Sequence, residues 1–204
     1  MNVIMRESLK DFIKRELDNK VILISCGLPA SGKTGIAQLI AEIKGFKILS
    51  SDMIRLDVLK DEDIFDEKVA SSMDKRIIVY DEMFRRAGES AKRQEAVILD
   101  ATFITQDLRR RAAEIAARHG MTLVIHQTQC PKDVCLERIA RRSIEKYTSN
   151  AITEQAYLNN EKRFEKVDID DLKILYPNLN IIHILVDTSS SNIEQWAVIG
   201  RTAR

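Results

Sequence analysis

Eight consecutive residues, Gly27 to Thr34, carry the strongest chemical signal in the sequence. They match the pattern G-x-x-x-x-G-K-S/T at every fixed position, after a predicted strand and at the start of a predicted helix. Glycines let such a loop turn tightly and bring backbone N–H groups close to phosphate oxygens. Lys33 would place a point charge on the β- and γ-phosphates, and the Thr34 hydroxyl could bind Mg²⁺. The motif predicts ATP and Mg²⁺ as cofactors and these nucleotide-binding residues: Gly27, Leu28, Pro29, Ala30, Ser31, Gly32, Lys33 and Thr34.

Two carboxylates follow predicted strands and could reach the same phosphates. Asp52 comes after the strand predicted at 46–49, and Asp100 follows the strand predicted at 96–99. Ligands of a parallel sheet lie outside the carboxyl ends of its strands. Asp52 is therefore a candidate base for an acceptor hydroxyl, and Asp100 a candidate Mg²⁺ ligand beside Thr34. Either carboxylate could instead only cap a helix or a turn.

Arginines supply the positive charge that phosphoryl transfer needs. Arg55, three residues after Asp52, shares its helix face and could hold an anionic group of the acceptor. Arg138 and Arg141 could form a cationic helix face in a lid that closes over the nucleotide, with Arg138 a candidate nucleotide contact and Arg141 a candidate catalytic residue. The alternative is a solvated face paired with Glu137.

Apolar runs alternate with helix-periodic segments, which favours βαβ units, an α/β class and a parallel sheet. One domain is predicted over residues 1–204, with a leading helix in 1–19 and a lid region at about 138–166. Within residues 69–93, the apolar side chains from Ile77 to Phe84 are expected to face the core. The predicted strands are 21–26, 46–49, 96–99, 121–127 and 181–186, and the predicted helices are 5–18, 33–44, 52–60, 69–93, 106–119, 131–142, 153–166 and 191–202.

Composition limits the function classes. The 204 residues hold 32 Lys+Arg and 31 Asp+Glu, so the net charge of +1 gives no global attraction to nucleic acid or membrane. Nucleic acid is therefore possible as a partner but not indicated, and Arg109, Arg110 and Arg111 could meet its backbone or form a solvated helix face. No apolar run approaches the roughly 20 residues of a membrane span. The N-terminus lacks the apolar centre of a signal peptide, so a cytoplasmic location is expected.

Motifs that the sequence lacks narrow the class of nucleotide-binding protein further. The sequence has no guanine-specificity motif of a GTPase and no transporter-type signature, and it is short for a module with a separate helical lid domain. A small NTP-dependent phosphotransferase remains the leading hypothesis. The alternatives are an ATP-binding regulatory module or slow ATPase without a phosphoryl acceptor, and a toxin-like kinase acting on a cell-wall sugar nucleotide.

Four motifs in a fixed order resemble one family. GLPASGKT at 27–34, SSDMIR at 50–55, VILDATF at 97–103 and ERIARR at 137–142 are similar to short predicted P-loop kinases of the AAA-domain type. That family is related to the kinase domain of phage polynucleotide kinase and, more distantly, to zeta toxin and chloramphenicol phosphotransferase. The resemblance covers about residues 20–200.

The resemblance implies a P-loop NTPase fold: a five-stranded parallel sheet of order 2-3-1-4-5, flanked by helices, with a helical lid. It implies that Asp52 is the base and that Arg141 or a neighbour contacts the transferred phosphate. Arg55 is implied to bind an acceptor phosphate, and Thr102 is a further candidate for binding the acceptor. Segment 187–188 is implied to lie near the adenine, and segment 149–151 to belong to the lid. The implied reaction is transfer of the γ-phosphoryl group of ATP to a hydroxyl of a nucleic-acid 5′ end, a nucleoside or a small metabolite.

Overall fold

The computed structural model describes residues 6–60, 72–144 and 153–204, with only the backbone of 142–144. The strands in these residues are β1 (Glu7–Ser8), β2 (Val21–Cys26), β3 (Lys47–Ser50), β4 (Val97–Asp100), β5 (Thr122–Gln129), β6 (Ile181–Asp187) and β7 (Ala197–Ala203). They form one seven-stranded sheet of order β1-β7-β6-β5-β2-β4-β3.

The sheet is mixed, which corrects the prediction of a five-stranded parallel sheet. Strands β3, β4, β2, β5 and β6 pair in parallel and follow the expected order 2-3-1-4-5. Strand β7 pairs antiparallel with β6, and β1 pairs antiparallel with β7. The two additional strands cover the β6 edge, whose backbone groups would otherwise lack partners.

The prediction of a helix at 191–202 is wrong. This segment forms a single 3₁₀ turn at Ile193–Gln195 and then β7. Val198 is fully buried, and a Cβ on Gly200 would lie 3.2 Å from Leu185 on the neighbouring strand. The β-branched residues fit a pleated strand, and the glycine allows a close approach to β6.

Eight α-helices occur in the described residues. They are α1 (Leu9–Glu16), α2 (Lys33–Lys44), α3 (Ser51–Val58), α4 (Met73–Lys92), α5 (Gln106–Arg118), α6 (Lys132–Ile144), α7 (Glu154–Arg163) and α8 (Ile169–Leu175). All but α8 match predicted segments. Asp168 caps the start of α8, because its side chain accepts hydrogen bonds from the backbone N–H groups of Asp170 and Asp171.

Two apolar layers hold the sheet between the helices. Helices α1 and α2 bury residues such as Ile13 and Ile36 against one face, and α4, α5 and α8 bury residues such as Met83 and Ala112 against the other. All six residues of β2 are buried, as expected for a central strand of a parallel sheet. This strand therefore gives the phosphate-loop segment a rigid base.

Helix α4 corrects one core prediction. Its buried side chains include Tyr80, Met83 and Phe84, whereas Ile77 and Ile78 are 50% and 47% exposed. The helical period of 3.6 residues places the two isoleucines on the flank of the helix rather than on its core face. Among the described helices, none is both long and apolar enough to cross a membrane.

Candidate active site

The segment Gly27–Thr34 leaves the end of β2 and enters the first turn of α2. The Gly27 N–H donates to the Thr102 carbonyl at 3.1 Å, which joins this loop to the segment after β4. Gly27 has φ +150°, and a Cβ there would lie 2.0 Å from Thr128 Oγ1. Only glycine fits this position. At Gly32, φ is +94° and a Cβ would lie 2.9 Å from the Trp196 ring.

Side-chain hydrogen bonds from other parts of the protein fix the loop. The Ser31 hydroxyl donates to the Leu28 carbonyl at 2.7 Å and shares a 2.6 Å hydrogen bond with the Thr128 hydroxyl. The Thr188 hydroxyl donates to the Ser31 carbonyl at 2.7 Å. The loop is therefore held by β5 and by the segment after β6, both of which are distant in sequence.

Lys33 closes the loop. It is 9% exposed, and its ammonium group donates to the Leu28 carbonyl at 2.6 Å. A lysine held at the mouth of a loop of glycines, at the start of a helix, favours binding of an anion. The tight turn at Gly27 and the positive charge of Lys33 together fit the triphosphate tail of a nucleotide.

Thr34 and Asp100 come together at the other side of the loop. The Thr34 hydroxyl donates to Asp100 Oδ2 at 2.8 Å, and Asp100 is 6% exposed. A hydroxyl and a carboxylate are hard oxygen donors, which suit Mg²⁺. In the described ranges, no group of three or more His, Cys, Asp or Glu residues could hold a metal ion. A Mg²⁺ ion held by few protein oxygens and completed by phosphates and water fits this donor set.

Asp52 and Arg55 lie at the end of the neighbouring strand β3. Asp52 is in the first turn of α3, and Arg55 follows one turn later with 7% of its surface exposed. Burial lowers the pKa of the Arg55 guanidinium, while the negative charge of Asp52 acts in the opposite direction. The structure therefore places this predicted pair side by side next to the sheet edge that carries Asp100.

Tyr80 lies beside Thr102 and was not predicted as a site residue. Its hydroxyl lies 3.4 Å from Thr102 Oγ1 and accepts a hydrogen bond from the Phe103 N–H at 3.3 Å. Burial raises the pKa of the Tyr80 phenol. In the sequence, Tyr80 has only the spacing of a core residue, and its hydroxyl contacts depend on the fold.

Arg138 binds the backbone around the loop. Its guanidinium donates to the carbonyls of Ala30 at 3.3 Å, Thr188 at 2.8 Å and Ser190 at 2.9 Å. It therefore joins α6 to the phosphate loop and to the segment after β6, where the sequence analysis expected the adenine. In this conformation, Arg138 contacts carbonyl oxygens and lies beside the candidate nucleotide site.

Arg141 is not brought to the loop. It is 66% exposed and forms an ion pair with Glu137 one turn earlier, which was the alternative expected from the sequence. The predicted lid segment 149–151 lies outside the described residues. Of the predicted site residues, Arg141 alone lies outside the region formed by the loop and its flanking strand ends.

The arginines at 109–111 do not form a solvated face. Arg109 is fully buried and donates five hydrogen bonds to residues of two segments. Arg110 pairs with Asp171, and Arg111 pairs with Asp81. Each of the three arginines thus binds protein groups, which leaves little of this cluster for a nucleic-acid backbone.

Comparisons with known proteins identify the fold. A family model described as AAA domain matches residues 22–167. A gluconokinase from Sinorhizobium meliloti 1021 superposes with a TM-score of 0.60 at 15% identity, covering 85% of this chain and 86% of that chain. Kti12 from Chaetomium thermophilum, solved in complex with ADP-AlF3, gives a TM-score of 0.54 at 18% identity, covering 72% and 81%.

A toxin-antitoxin protein of the PezAT system of Streptococcus pneumoniae is also similar. It gives a TM-score of 0.54 at 14% identity and covers 84% of this chain and 70% of that chain. No curated protein sequence matches the chain at a significant level. Together with the family match, these structures confirm the expected type of P-loop domain.

Proposed function

We propose, since the chain belongs to the AAA-domain family whose model matches it, that it is a Mg²⁺-dependent kinase. It transfers the γ-phosphoryl group of ATP to a hydroxyl acceptor. The observation that carries this proposal is the 2.8 Å contact of Thr34 with Asp100 under the phosphate loop, with Asp52 at the end of the adjacent strand. A protein that only bound nucleotide would not need a second carboxylate next to this site.

Each side chain has a role in this reaction. The loop N–H groups and Lys33 hold the β- and γ-phosphates, and Arg138 supports the loop from α6. Thr34 and Asp100 would hold Mg²⁺, which supplies positive charge to the phosphates when it is bound.

Asp52 accepts the proton of the acceptor hydroxyl as that oxygen attacks the γ-phosphorus and the bond to ADP breaks. Arg55 and Thr102 orient the acceptor. Arg141 would reach the transferred phosphate only after α6 moves toward the loop. Phosphoryl transfer asks little covalent chemistry of the protein, so most of the rate acceleration comes from positioning and charge.

The names of the similar structures support this proposal. One is a gluconokinase, and another was solved with ADP-AlF3. The bound ADP-AlF3 is consistent with a nucleotide donor, and the gluconokinase is consistent with a hydroxyl acceptor. The proposed location is the cytoplasm, where ATP is available.

A transfer assay tests the proposal. The protein is incubated with γ-labelled ATP, Mg²⁺ and a panel of hydroxyl acceptors: nucleosides, sugars, sugar acids, sugar nucleotides and a 5′-OH oligonucleotide. We expect label on one acceptor class, loss of transfer without Mg²⁺, and loss of transfer in Lys33→Ala. Release of free phosphate alone, with no labelled acceptor, would support the slow-ATPase or regulatory alternative.

A further inference from the structure

A cavity of about 120 Å³ lies beside Thr102 and is separate from the phosphate loop itself. Its lining combines apolar side chains such as Ile77 and Ile104 with three arginines, Arg76, Arg111 and Arg163. A mainly apolar pocket with a few converging polar groups is typical of small-molecule sites. Here every charged side chain in the lining is a cation.

The cavity adjoins the proposed reaction centre. The Thr102 carbonyl accepts the hydrogen bond from the phosphate loop at Gly27, and its hydroxyl faces Tyr80, which also lines the cavity. The positive charge of Arg55 contributes to lowering the pKa of the Arg76 guanidinium, so the proposed acceptor-binding arginine lies near the same pocket. A molecule in the cavity would therefore lie next to Thr102 and Tyr80, with Arg55 nearby.

Within the part of the chain that the structure describes, the positive charge of the cavity arginines is only partly neutralised. Arg76 is half-buried, and in the described ranges no carboxylate lies within ion-pair distance of Arg76 or Arg163. Burial and the charge of Arg163 lower the pKa of the Arg76 guanidinium. Arg111 is already paired with Asp81 at 2.6 Å and lies 4.3 Å from the Phe84 ring centre.

Converging cations in this pocket favour an anionic ligand, because half-buried Arg76 has lost part of its hydration and exposed Arg163 adds a second positive charge beside it. Guanidinium groups bind carboxylate and phosphate through paired hydrogen bonds. The apolar wall would contact the carbon skeleton of such a ligand.

We propose that this cavity binds the anionic group of the phosphoryl acceptor, and that the acceptor is a small hydroxy compound carrying a carboxylate or a phosphate. The inference rests on the proposed kinase function, whose acceptor it specifies. Arg76 and Arg163 hold the anionic group, and Arg111 adds charge at the side of the pocket. A nucleic acid fits less well, because the net charge of +1 gives no global attraction to its backbone.

Calorimetric titration tests this inference. The phosphate loop is first filled with saturating ADP and Mg²⁺, so that added anions cannot bind there. Gluconate and glucose 6-phosphate are then compared with sorbitol and glucose at constant ionic strength. We expect at least one anionic compound to bind at least tenfold more tightly than its neutral counterpart.

Two variants connect that binding to the cavity. Arg76→Gln and Arg163→Gln should each weaken binding of the anionic compound by about tenfold or more and change ADP affinity less than twofold. Arg118→Gln is the matched control, because Arg118 is an exposed arginine that pairs with Glu114 on the far part of α5. This control should behave as the wild type.

Failure of this inference can be distinguished from failure of the kinase proposal. Equal affinity for charged and neutral compounds, no binding by either, or unchanged binding in both variants would overturn the anionic acceptor. A 5′-OH oligonucleotide that binds through Arg76 more tightly than the small anions would overturn the small-molecule class. Arg76-dependent binding of an anion without transfer to any acceptor would instead leave the anion site standing and contradict the kinase proposal.

Discussion

Thr34 and Asp100, 66 positions apart in sequence, are joined by a 2.8 Å hydrogen bond from the threonine hydroxyl to the carboxylate. The bond connects the first turn of α2 to the end of β4, the strand that pairs with β2. Both side chains are thus held at one edge of the sheet by the protein itself. Little reorganisation is then needed to present two oxygen ligands to a metal ion.

Replacing Asp100 with asparagine should weaken Mg²⁺ binding specifically. The asparagine side chain would keep a similar shape but lose the negative charge that attracts Mg²⁺. We expect Asp100→Asn to raise the Mg²⁺ concentration for half-maximal transfer by about tenfold or more. The affinity for ATP without Mg²⁺ should change less than twofold. A Mg²⁺ titration of transfer, with Asp107→Asn on the exposed start of α5 as control, measures this effect.

Gly27→Ala should damage the phosphate loop. The added Cβ would lie 2.0 Å from Thr128 Oγ1, and φ of +150° is unfavourable for alanine. We expect a loss of about 2 kcal/mol or more in the free energy of unfolding and a loss of ATP affinity. Chemical denaturation and nucleotide titration measure the two effects.

Gly88→Ala is the matched control for the glycine at position 27. Gly88 lies within α4, and a Cβ there would meet no atom within 4 Å. Alanine is favoured over glycine in a helix interior, so this variant should gain about 0.5–1 kcal/mol. Equal stability of the Gly27 and Gly88 variants would contradict the steric interpretation of the loop.

Arg109→Met should destabilise the fold strongly. The Arg109 guanidinium is fully buried and donates to four backbone carbonyls, those of Phe103, Ile104, Glu165 and Lys166. Methionine would leave these acceptors unsatisfied, so we expect a loss of about 3 kcal/mol or more. Urea denaturation measures the loss, and Arg118→Met, at an exposed position, should stay within about 0.5 kcal/mol of wild type. A small change in Arg109→Met would show that the two segments hold together without it.

Stability should fall as the pH decreases below about 6.5. Burial lowers the pKa of His126 to about 3 and that of His183 to about 4, from 6.5. The unfolded chain therefore takes up protons on both residues in a range where the folded chain does not. Each histidine makes the free energy of unfolding fall by up to about 1.4 kcal/mol for each pH unit in this range.

A comparison of wild type with His126→Gln isolates the contribution of His126 to this pH dependence. Buried His126 is hydrogen-bonded to Ser25 through Nε2 at 2.8 Å, and glutamine could keep a polar contact there without titrating. The free energy of unfolding is measured in urea at pH 7, 6 and 5. Wild type should lose more stability than the variant over this range, and parallel curves would refute a neutral buried His126.

The sequence allowed the phosphate loop and its two flanking carboxylates to be located because each is tied to a strand end. Strands of a parallel sheet bring their carboxyl ends to one edge, so Asp52 and Asp100 could be placed near Lys33 without coordinates. The order of the five parallel strands came from the family resemblance. The chemical roles of Asp52 and Asp100 are proposals, which the experiments described above test.

Other features depend on contacts between distant segments and were not predictable. The apolar residues in segment 191–202 are compatible with a helix or a strand. Pairing with β6 makes part of this segment a strand. Arg109 looks like part of a charged helix face, yet the carbonyls that bind it come from segments 103–104 and 165–166. Tyr80 and the cavity arginines likewise meet only when α4, α5 and α7 are packed.

The kinase proposal depends most directly on Asp52 as the proton acceptor. The decisive measurement is the rate of phosphoryl transfer by Asp52→Asn beside its ATP affinity, with Asp57→Asn as control on the same helix, where Asp57 is 56% exposed and pairs with Arg86. We predict that Asp52→Asn lowers transfer by about 10²-fold or more, with ATP affinity within twofold of wild type and Asp57→Asn fully active. Wild-type transfer rates in Asp52→Asn would contradict the proposed mechanism.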